Sequence, residues 1–150
     1  MLCALSENER VFHVVNEIGE VYFQRHKQYR GESEKAWDAM HRALADGTLS
    51  WKGGTYPLNH VVLGGRLLYR GRDYILSLKT PEQVHDIAAA LRTIDEPEFR
   101  RRYFAIDPRS YDGPHNEDDF GYTWHWLQNV RRLYDLAERE RRHVLFAADQ

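Results

Sequence analysis

The sequence predicts a single α+β domain that is predominantly helical, with a small mixed or antiparallel sheet and a long central C-terminal helix. The sheet is expected to combine strands near both termini with a central hairpin. Three observations support this prediction. A chain of 150 residues has the size of one domain, helical periodicity outweighs strand patterning, and helices and strands do not alternate as a doubly wound sheet requires. We therefore treat residues 1–150 as one domain.

The N-terminal part of the chain is predicted to hold a short strand followed by a helix. Leu2 to Leu5 is apolar and indicates the strand, and Ser6 with Glu9 matches a capping box. The apolar residues at helical spacing after this box are Val11, Val14, Val15, Ile18, Val21 and Tyr22. Gly31 is expected to end this run.

A second helix is expected to begin after Ser33, because a serine hydroxyl suits the N-cap position. Asp46-Gly47 is expected to end it, since glycine is favoured just past a helix end. The inward-facing stripe of this helix is predicted to consist of Ala36, Trp37, Met40 and Leu44. Pro57 then suits the first position of a short helical turn through Leu63, and Gly64 suits the cap of that turn.

The central hairpin is predicted from two segments, Arg66–Tyr69 and Tyr74–Leu78, which flank Arg70-Gly71-Arg72-Asp73. A final strand is expected at His143–Ala147.

Three helices are predicted between the hairpin and the final strand. Thr80-Pro81-Glu82-Gln83 combines a capping threonine, a proline at the first helical position and a glutamine at the third. Asp95-Glu96-Pro97-Glu98 repeats this pattern. The last helix is expected to run from Glu117 to Arg142, where helical periodicity persists. Its first half is apolar nearly all round, which is typical of a central helix.

Composition excludes several classes of protein. The formal net charge is −2, which argues against a dedicated nucleic-acid binder. Cys3 is the single cysteine, so the chain has no internal disulfide and no cysteine-based zinc site. No stretch approaches the roughly 18 apolar residues of a membrane span. We therefore expect a cytoplasmic protein that does not enter a membrane.

One candidate pocket lies between the Trp37–His41 helix and the Asn59–Gly65 loop. Asp38 and His41 share a helix face, so that the carboxylate is placed to orient the imidazole for proton transfer. Asn59 and His60 add polar groups from the loop. The Gly64-Gly65 pair follows a helical turn and precedes a strand, whereas a phosphate loop has the reverse order, so a helix stop explains it better.

No catalytic constellation, metal site or cofactor motif emerges from the remaining residues. The eight histidines show neither HExxH nor HxH spacing, and no metal is expected. Two dense basic runs lie at predicted helix ends, where the helix dipole favours cations: Arg100-Arg101-Arg102 and the group Arg139, Arg141 and Arg142. Trp124-His125-Trp126 is expected to contribute to the core rather than to a stacking platform.

Several segments resemble the YfbM-like family of uncharacterised bacterial proteins. They are Lys35-Ala36-Trp37-Asp38-Ala39-Met40-His41, Pro57 to Gly65, Tyr74 to Val84, and Tyr122-Thr123-Trp124-His125-Trp126 with Val144-Leu145-Phe146. The resemblance covers the chain from about residue 33 to its end. It implies a single α+β domain in a bacterial cytoplasm, and it supplies no activity or catalytic residue.

Two hypotheses of function follow. The first is a binding or interaction protein without chemistry of its own, acting on another protein, for example as an inhibitor or an immunity-type partner. The second is an enzyme or small-ligand binder whose pocket involves Trp37, Asp38, His41, Asn59, His60, Gly64 and Gly65. Nucleic-acid binding is a third and less favoured class, and the oligomeric state is left open.

Overall fold

A computed structural model describes residues 1–5, 27–68 and 74–149. Its sheet, as far as these residues form it, has five antiparallel strands in the order β2-β1-β5-β4-β3. The strands are β1 (Leu2–Leu5), β2 (Arg30–Gly31), β3 (Arg66–Leu67), β4 (Tyr74–Lys79) and β5 (His143–Asp149). The predicted strands near both termini pair directly with each other, and β3 and β4 form the predicted central antiparallel pair.

Four α-helices occur in the described ranges: α1 (Trp37–Leu44), α2 (Pro81–Arg92), α3 (Glu96–Tyr103) and α4 (Glu117–Arg139). Short 3-10 turns lie at Lys27–Tyr29, Glu34–Ala36 and Leu58–His60. The long helix α4 packs across β1 and β2 and against α1 and α2, so it is central as predicted. The α+β fold class is therefore confirmed. The predicted Ser6 capping box, the helix after it and the Arg70–Asp73 turn lie outside the described residues.

The central strands of the sheet present buried side chains on both faces. Leu2, Phe146 and Ser77 are in register on the face that carries the main core. On the opposite face Cys3, Leu145 and Leu78 are in register and belong to a second, smaller cluster. Strand β4 consequently buries both its leucines and the polar residues that alternate with them.

The capping patterns of α2 and α3 are confirmed. The Thr80 hydroxyl accepts a hydrogen bond from the Gln83 amide, and the Gln83 side chain accepts one from the Thr80 amide. The Asp95 carboxylate accepts a hydrogen bond from the Glu98 amide over 2.8 Å. Both caps satisfy amide groups that the first helical turn leaves without partners.

The predicted cap at Ser33 is wrong. Its backbone, at φ −123° and ψ −5°, is not in the extended conformation that an N-cap side chain needs, and it makes no capping hydrogen bond. The Ser33 carbonyl instead accepts the Ala36 amide to form a 3-10 turn, which leads into α1. The buried Ser33 hydroxyl has no hydrogen-bond partner within the described ranges.

The last helix ends at Arg139 and not at the predicted Arg142. Arg141 adopts the left-handed conformation with φ +53°. Its amide donates to the Glu138 carbonyl, and the Arg142 amide donates to the Ala137 carbonyl. These two bonds form a Schellman motif, which ends a helix. The sequence conceals this end because the left-handed position holds arginine rather than the usual glycine.

Arg141→Gly is expected to raise the free energy of unfolding by about 0.5–1 kcal/mol, because glycine adopts the left-handed conformation without the steric cost that arginine pays. Urea denaturation measures the change. The matched control is Arg141→Ala, which removes the same side chain but keeps the strain. An equal gain in both variants would show that the side chain, not the backbone, is responsible.

Candidate functional site

The structure places the predicted site residues on two neighbouring segments, α1 and the turn that follows Pro57. Trp37 begins α1, and its ring lies 5.9 Å from that of Phe146 on β5. Asp38 forms an ion pair with Arg42, with 2.5 Å between Nε and Oδ1. Arg42 also donates to the Ser110 hydroxyl. These contacts tie α1 to the loop before α4, so Asp38 is engaged on that side of the helix.

Among the predicted site residues that have a side chain, His41 is the most deeply buried, with 1 % of its surface exposed. Its Nε2 lies 3.0 Å from the Ser50 carbonyl, which accepts only, so Nε2 carries the proton. Its Nδ1 is buried, and no described residue hydrogen-bonds to it. Burial lowers the pKa of His41, and the Ser50 hydrogen bond opposes this shift in part. The structure does not join His41 to Asp38 by a hydrogen bond.

We expect the free energy of unfolding to fall as pH decreases below about 6.5, partly because of His41. The folded pKa of His41 is lowered, so the unfolded chain binds this proton at a higher pH than the folded chain does. The destabilising contribution of His41 is absent above its ordinary pKa and grows as pH drops toward its pKa in the folded chain. Urea denaturation at a series of pH values measures the slope. His41→Gln should reduce that slope, and identical slopes in both proteins would contradict the assignment.

Asn59 and His60 are bonded to each other and to the surrounding loop. His60 Nδ1 lies 2.7 Å from Asn59 Oδ1, and Asn59 Nδ2 donates to the Gly53 carbonyl over 3.0 Å. The His60 ring meets Tyr56 edge-on at 5.1 Å. Partial burial lowers the pKa of His60, with a smaller contribution from Lys79. Both side chains therefore hold the loop in place in this structure.

The two glycines allow close approaches that a side chain would prevent. A Cβ on Gly64 would lie 2.5 Å from His60 Nδ1, so the imidazole ring packs against the Gly64 backbone. Gly65 has φ +93°, and a Cβ there would lie 2.5 Å from the Leu78 carbonyl oxygen. Gly65 thus brings the loop directly against strand β4.

Lys79, which the sequence analysis did not single out, lies at the centre of this region. It is 0 % exposed. Its Nζ donates to the Val62 carbonyl over 2.5 Å, to the Ser77 hydroxyl over 2.6 Å and to the Leu63 carbonyl over 3.4 Å. Burial holds the pKa of Lys79 well below its ordinary value. This amine fastens the turn to β4.

The cluster of Lys79, His41 and His60 contains three groups whose pKa values are all lowered, which favours their neutral forms. Such shifts occur at catalytic sites, but they also follow from burial alone. Here Lys79 presents no surface to a substrate, and each of the three groups already contacts a protein oxygen. Among the described residues, no three His, Cys, Asp or Glu side chains are placed to hold a metal ion.

A concave surface lies elsewhere, between the C-terminal part of α4, the edge strand β2 and the end of α2. We call it the α4 groove. It has a volume of about 960 Å³ and is lined by Gln28, Arg30, Glu32, Arg92, Trp126, Asn129, Arg132, Leu133, Asp135, Leu136 and Arg139. The residues from α4 recur at helical spacing, so one face of the helix forms one wall of the groove.

Trp126 lines the α4 groove and carries an unusual polar atom beneath its surface. Its indole Nε1 is buried, and no described residue accepts a hydrogen bond from it. A buried donor without a partner costs about 1–3 kcal/mol relative to a paired one. The sequence predicts Trp126 in the core, and the structure does pack it, partly buried, against the core. Its place in the α4 groove depends on β2 and α2, which no local pattern reveals.

No helix among the described residues is long and apolar enough to cross a membrane.

Comparisons with known proteins agree with the fold and the predicted resemblance. A family model described as "Domain of unknown function (DUF1877)" matches residues 3–147. Among solved structures, the chain is similar to the crystal structure of a protein of unknown function, YfbM from Escherichia coli. The TM-score is 0.67 and the identity 18%, over 99% of this chain and 98% of that chain. At this identity the likeness shows the fold alone. No curated protein matches the chain. The YfbM-like resemblance is thus confirmed.

Proposed function

Because this chain belongs to the DUF1877 family, a domain of unknown function, we propose from its own geometry that it is a binding protein without chemistry of its own. Its binding surface is the α4 groove, and its ligand is a segment of another protein. The observation that carries this proposal is a groove in which the partly exposed Trp126 lies on the same wall as the exposed Arg132 and Arg139.

The composition of the α4 groove favours a protein partner over a small molecule. Small-molecule sites are mostly apolar and enclosing, whereas most of the residues that line this groove are charged or polar. Trp126 and Leu136, which are partly exposed, supply its apolar surface, and the arginines supply charged surface. Protein interfaces combine apolar and polar surface, and Trp and Arg are among the residues most enriched at their energetic centres.

A photo-crosslinking amino acid introduced at Gln28 tests this proposal in cells of the native host. Gln28 is exposed and lines the α4 groove. Lys52, which is exposed on the loop after α1 and does not line the groove, is the matched control position. We expect a discrete adduct with one partner from Gln28 and none from Lys52. The same adducts from both positions, or none from Gln28, would contradict the proposal.

The inhibitor or immunity-type role is a finer form of the same proposal. It predicts that the cross-linked partner has an activity of its own and loses that activity when the purified protein is added. If the partner keeps its full activity when it is saturated with the purified protein, the protein binds this partner but does not inhibit it.

The second candidate function is an enzyme or small-ligand site between α1 and the Asn59–Gly65 loop. The unpartnered Nδ1 of His41 is the observation in its favour. This function requires Asn59 and His60 to leave their present hydrogen bonds and open a path to His41. A panel of hydrolase and transferase assays tests it. Turnover that disappears in His41→Ala would establish the enzyme and overturn the non-catalytic proposal.

A further inference from the structure

We propose that the α4 groove binds an acidic protein segment, whose carboxylates pair with Arg132 and Arg139. This inference rests on the proposed function and specifies the chemistry of the partner. It depends on the arginines of the groove that form no salt bridge, on their spacing and on the apolar surface beside them.

The described residues of the α4 groove carry an excess of positive charge although the chain as a whole has a net charge of −2. Among them are four arginines and two carboxylates. Arg30 pairs with Glu32, and Arg92 pairs with Asp135. Two guanidinium groups remain, those of Arg132 and Arg139.

Neither remaining arginine forms a salt bridge among the described residues. Arg139 does lie close enough to Glu140 to add to the lowering of its pKa, which Arg142 mainly causes. Arg132 donates to the Asn129 side-chain oxygen, which is neutral. Both arginines are exposed. A guanidinium group forms two parallel hydrogen bonds with a carboxylate, which makes carboxylates its natural partners. The groove therefore offers two exposed guanidinium groups that form no salt bridge with any described residue and suit an anionic group.

Arg132 and Arg139 lie seven residues apart on α4 and so share one face of the helix. Two helical turns separate their backbones by about 10 Å. A segment that carries acidic side chains at a comparable spacing contacts both arginines at once. A segment with several carboxylates supplies one charged group for each arginine, whereas a single small anion supplies one for both.

Trp126 adds a third contact on the same wall of the α4 groove. Its ring is partly exposed, although the indole Nε1 is buried and out of reach of a segment bound at the surface. Leu136 is also partly exposed, so the two side chains offer apolar contact to the stems of glutamate side chains. One bound segment can thus contact the arginines and this apolar surface together.

Glu32 and Asp135 make a nucleic acid the less suitable partner. Each strand of a DNA duplex carries one phosphate about every 3.4 Å of helix axis, so a duplex laid along the groove would place phosphates near these two carboxylates. An acidic peptide carries fewer, separated charges and avoids them. The carboxylates therefore favour discrete acidic side chains over a continuous phosphate backbone.

The test is a titration monitored by the indole N–H resonances of the full-length protein in ¹⁵N-correlated NMR spectra. Trp126→Phe assigns the Trp126 signal. The probes are a peptide of alternating glutamate and alanine, a lysine–alanine peptide of equal length and an oligothymidylate. We expect the glutamate peptide to shift the Trp126 signal saturably and to bind less tightly as salt is raised. Tighter binding of either other probe would overturn the proposal.

Charge reversal locates the contact. We expect the double variant Arg132→Glu/Arg139→Glu to weaken binding of the glutamate peptide by about tenfold or more. The matched control is Arg101→Glu/Arg109→Glu, which changes the net charge equally at two exposed arginines outside the groove. An equal loss in both double variants would show that net charge alone is responsible and would overturn the proposal.

The experiments distinguish a failure of the binding function from a failure of the acidic chemistry. If Gln28 cross-links to a partner but the glutamate peptide leaves the Trp126 signal unchanged, the binding function stands and the acidic chemistry is wrong. If Gln28 gives no adduct and the peptide does not bind, both are wrong. Urea denaturation of each variant establishes that it is folded, so that a loss of binding reports the groove.

Discussion

Lys79→Ala is expected to lower the free energy of unfolding by about 3–5 kcal/mol, because it combines a cavity with orphaned hydrogen-bond acceptors. The side chain is completely buried, and its Nζ donates to two carbonyls of the turn and to the Ser77 hydroxyl. Without it, the Val62 and Leu63 carbonyls lose a donor that water cannot easily replace. Urea denaturation measures the loss.

Lys79→Met separates the effect of the lost hydrogen bonds from the effect of the cavity. Methionine keeps most of the volume and removes the donor, so we expect a smaller loss of about 1–3 kcal/mol. Two stability changes that are both close to zero would show that the amine does not fasten the turn to β4. An equal, large loss in the two variants would assign the whole effect to hydrogen bonding.

The pH dependence of the free energy of unfolding of the wild-type protein provides a further control. The folded pKa of Lys79 is lowered, so the unfolded chain binds a proton below the ordinary pKa of 10.5 and the folded chain does not. The free energy of unfolding therefore decreases as pH falls from 10.5 toward the folded pKa. Lys79→Met should lack this part of the slope.

Gly65→Ala is expected to lower the free energy of unfolding by about 2–4 kcal/mol, since an L-residue is strained there and its Cβ meets backbone. Gly65 has φ +93°, and a Cβ would lie 2.5 Å from the Leu78 carbonyl oxygen. That oxygen belongs to β4 and cannot move without disturbing its pairing with β3 and β5. Thermal and urea denaturation measure the loss.

Gly121→Ala is the matched control for this substitution. Gly121 lies within α4, and a Cβ there meets nothing within 4 Å. Alanine favours a helix, so we expect this variant to be more stable than wild type by up to about 1 kcal/mol. We therefore expect the two substitutions to change the free energy of unfolding in opposite directions. A loss of the same size at Gly121 would contradict the distinction that we draw.

Local sequence signals predicted much of the fold because helix starts carry their own chemistry. The caps at Thr80 and Asp95 are formed by residues within the first turn, so their spacing is visible in the chain. The end of α4 was missed because Arg141 occupies the left-handed position without the usual glycine. The cap at Ser33 was wrongly predicted because its backbone closes a 3-10 turn instead.

Non-local features were predictable only in part. The alternation of β4 places Ser77 and Lys79 on one face, and such a pattern normally indicates a solvent-exposed side. The residues of the main core cover that face here, so Lys79 became buried and escaped the sequence analysis. The α4 groove was missed for a related reason, because Arg30, Arg92 and Arg132 come from three separate elements.

The central claim is that the partner binds in the α4 groove through its arginines. The most direct measurement is the Kd of the partner cross-linked at Gln28, determined by calorimetry for wild type, Arg132→Glu/Arg139→Glu and Arg101→Glu/Arg109→Glu. We predict that the groove variant binds at least about tenfold more weakly and that the control binds like wild type. A groove variant that keeps the wild-type Kd would contradict the account.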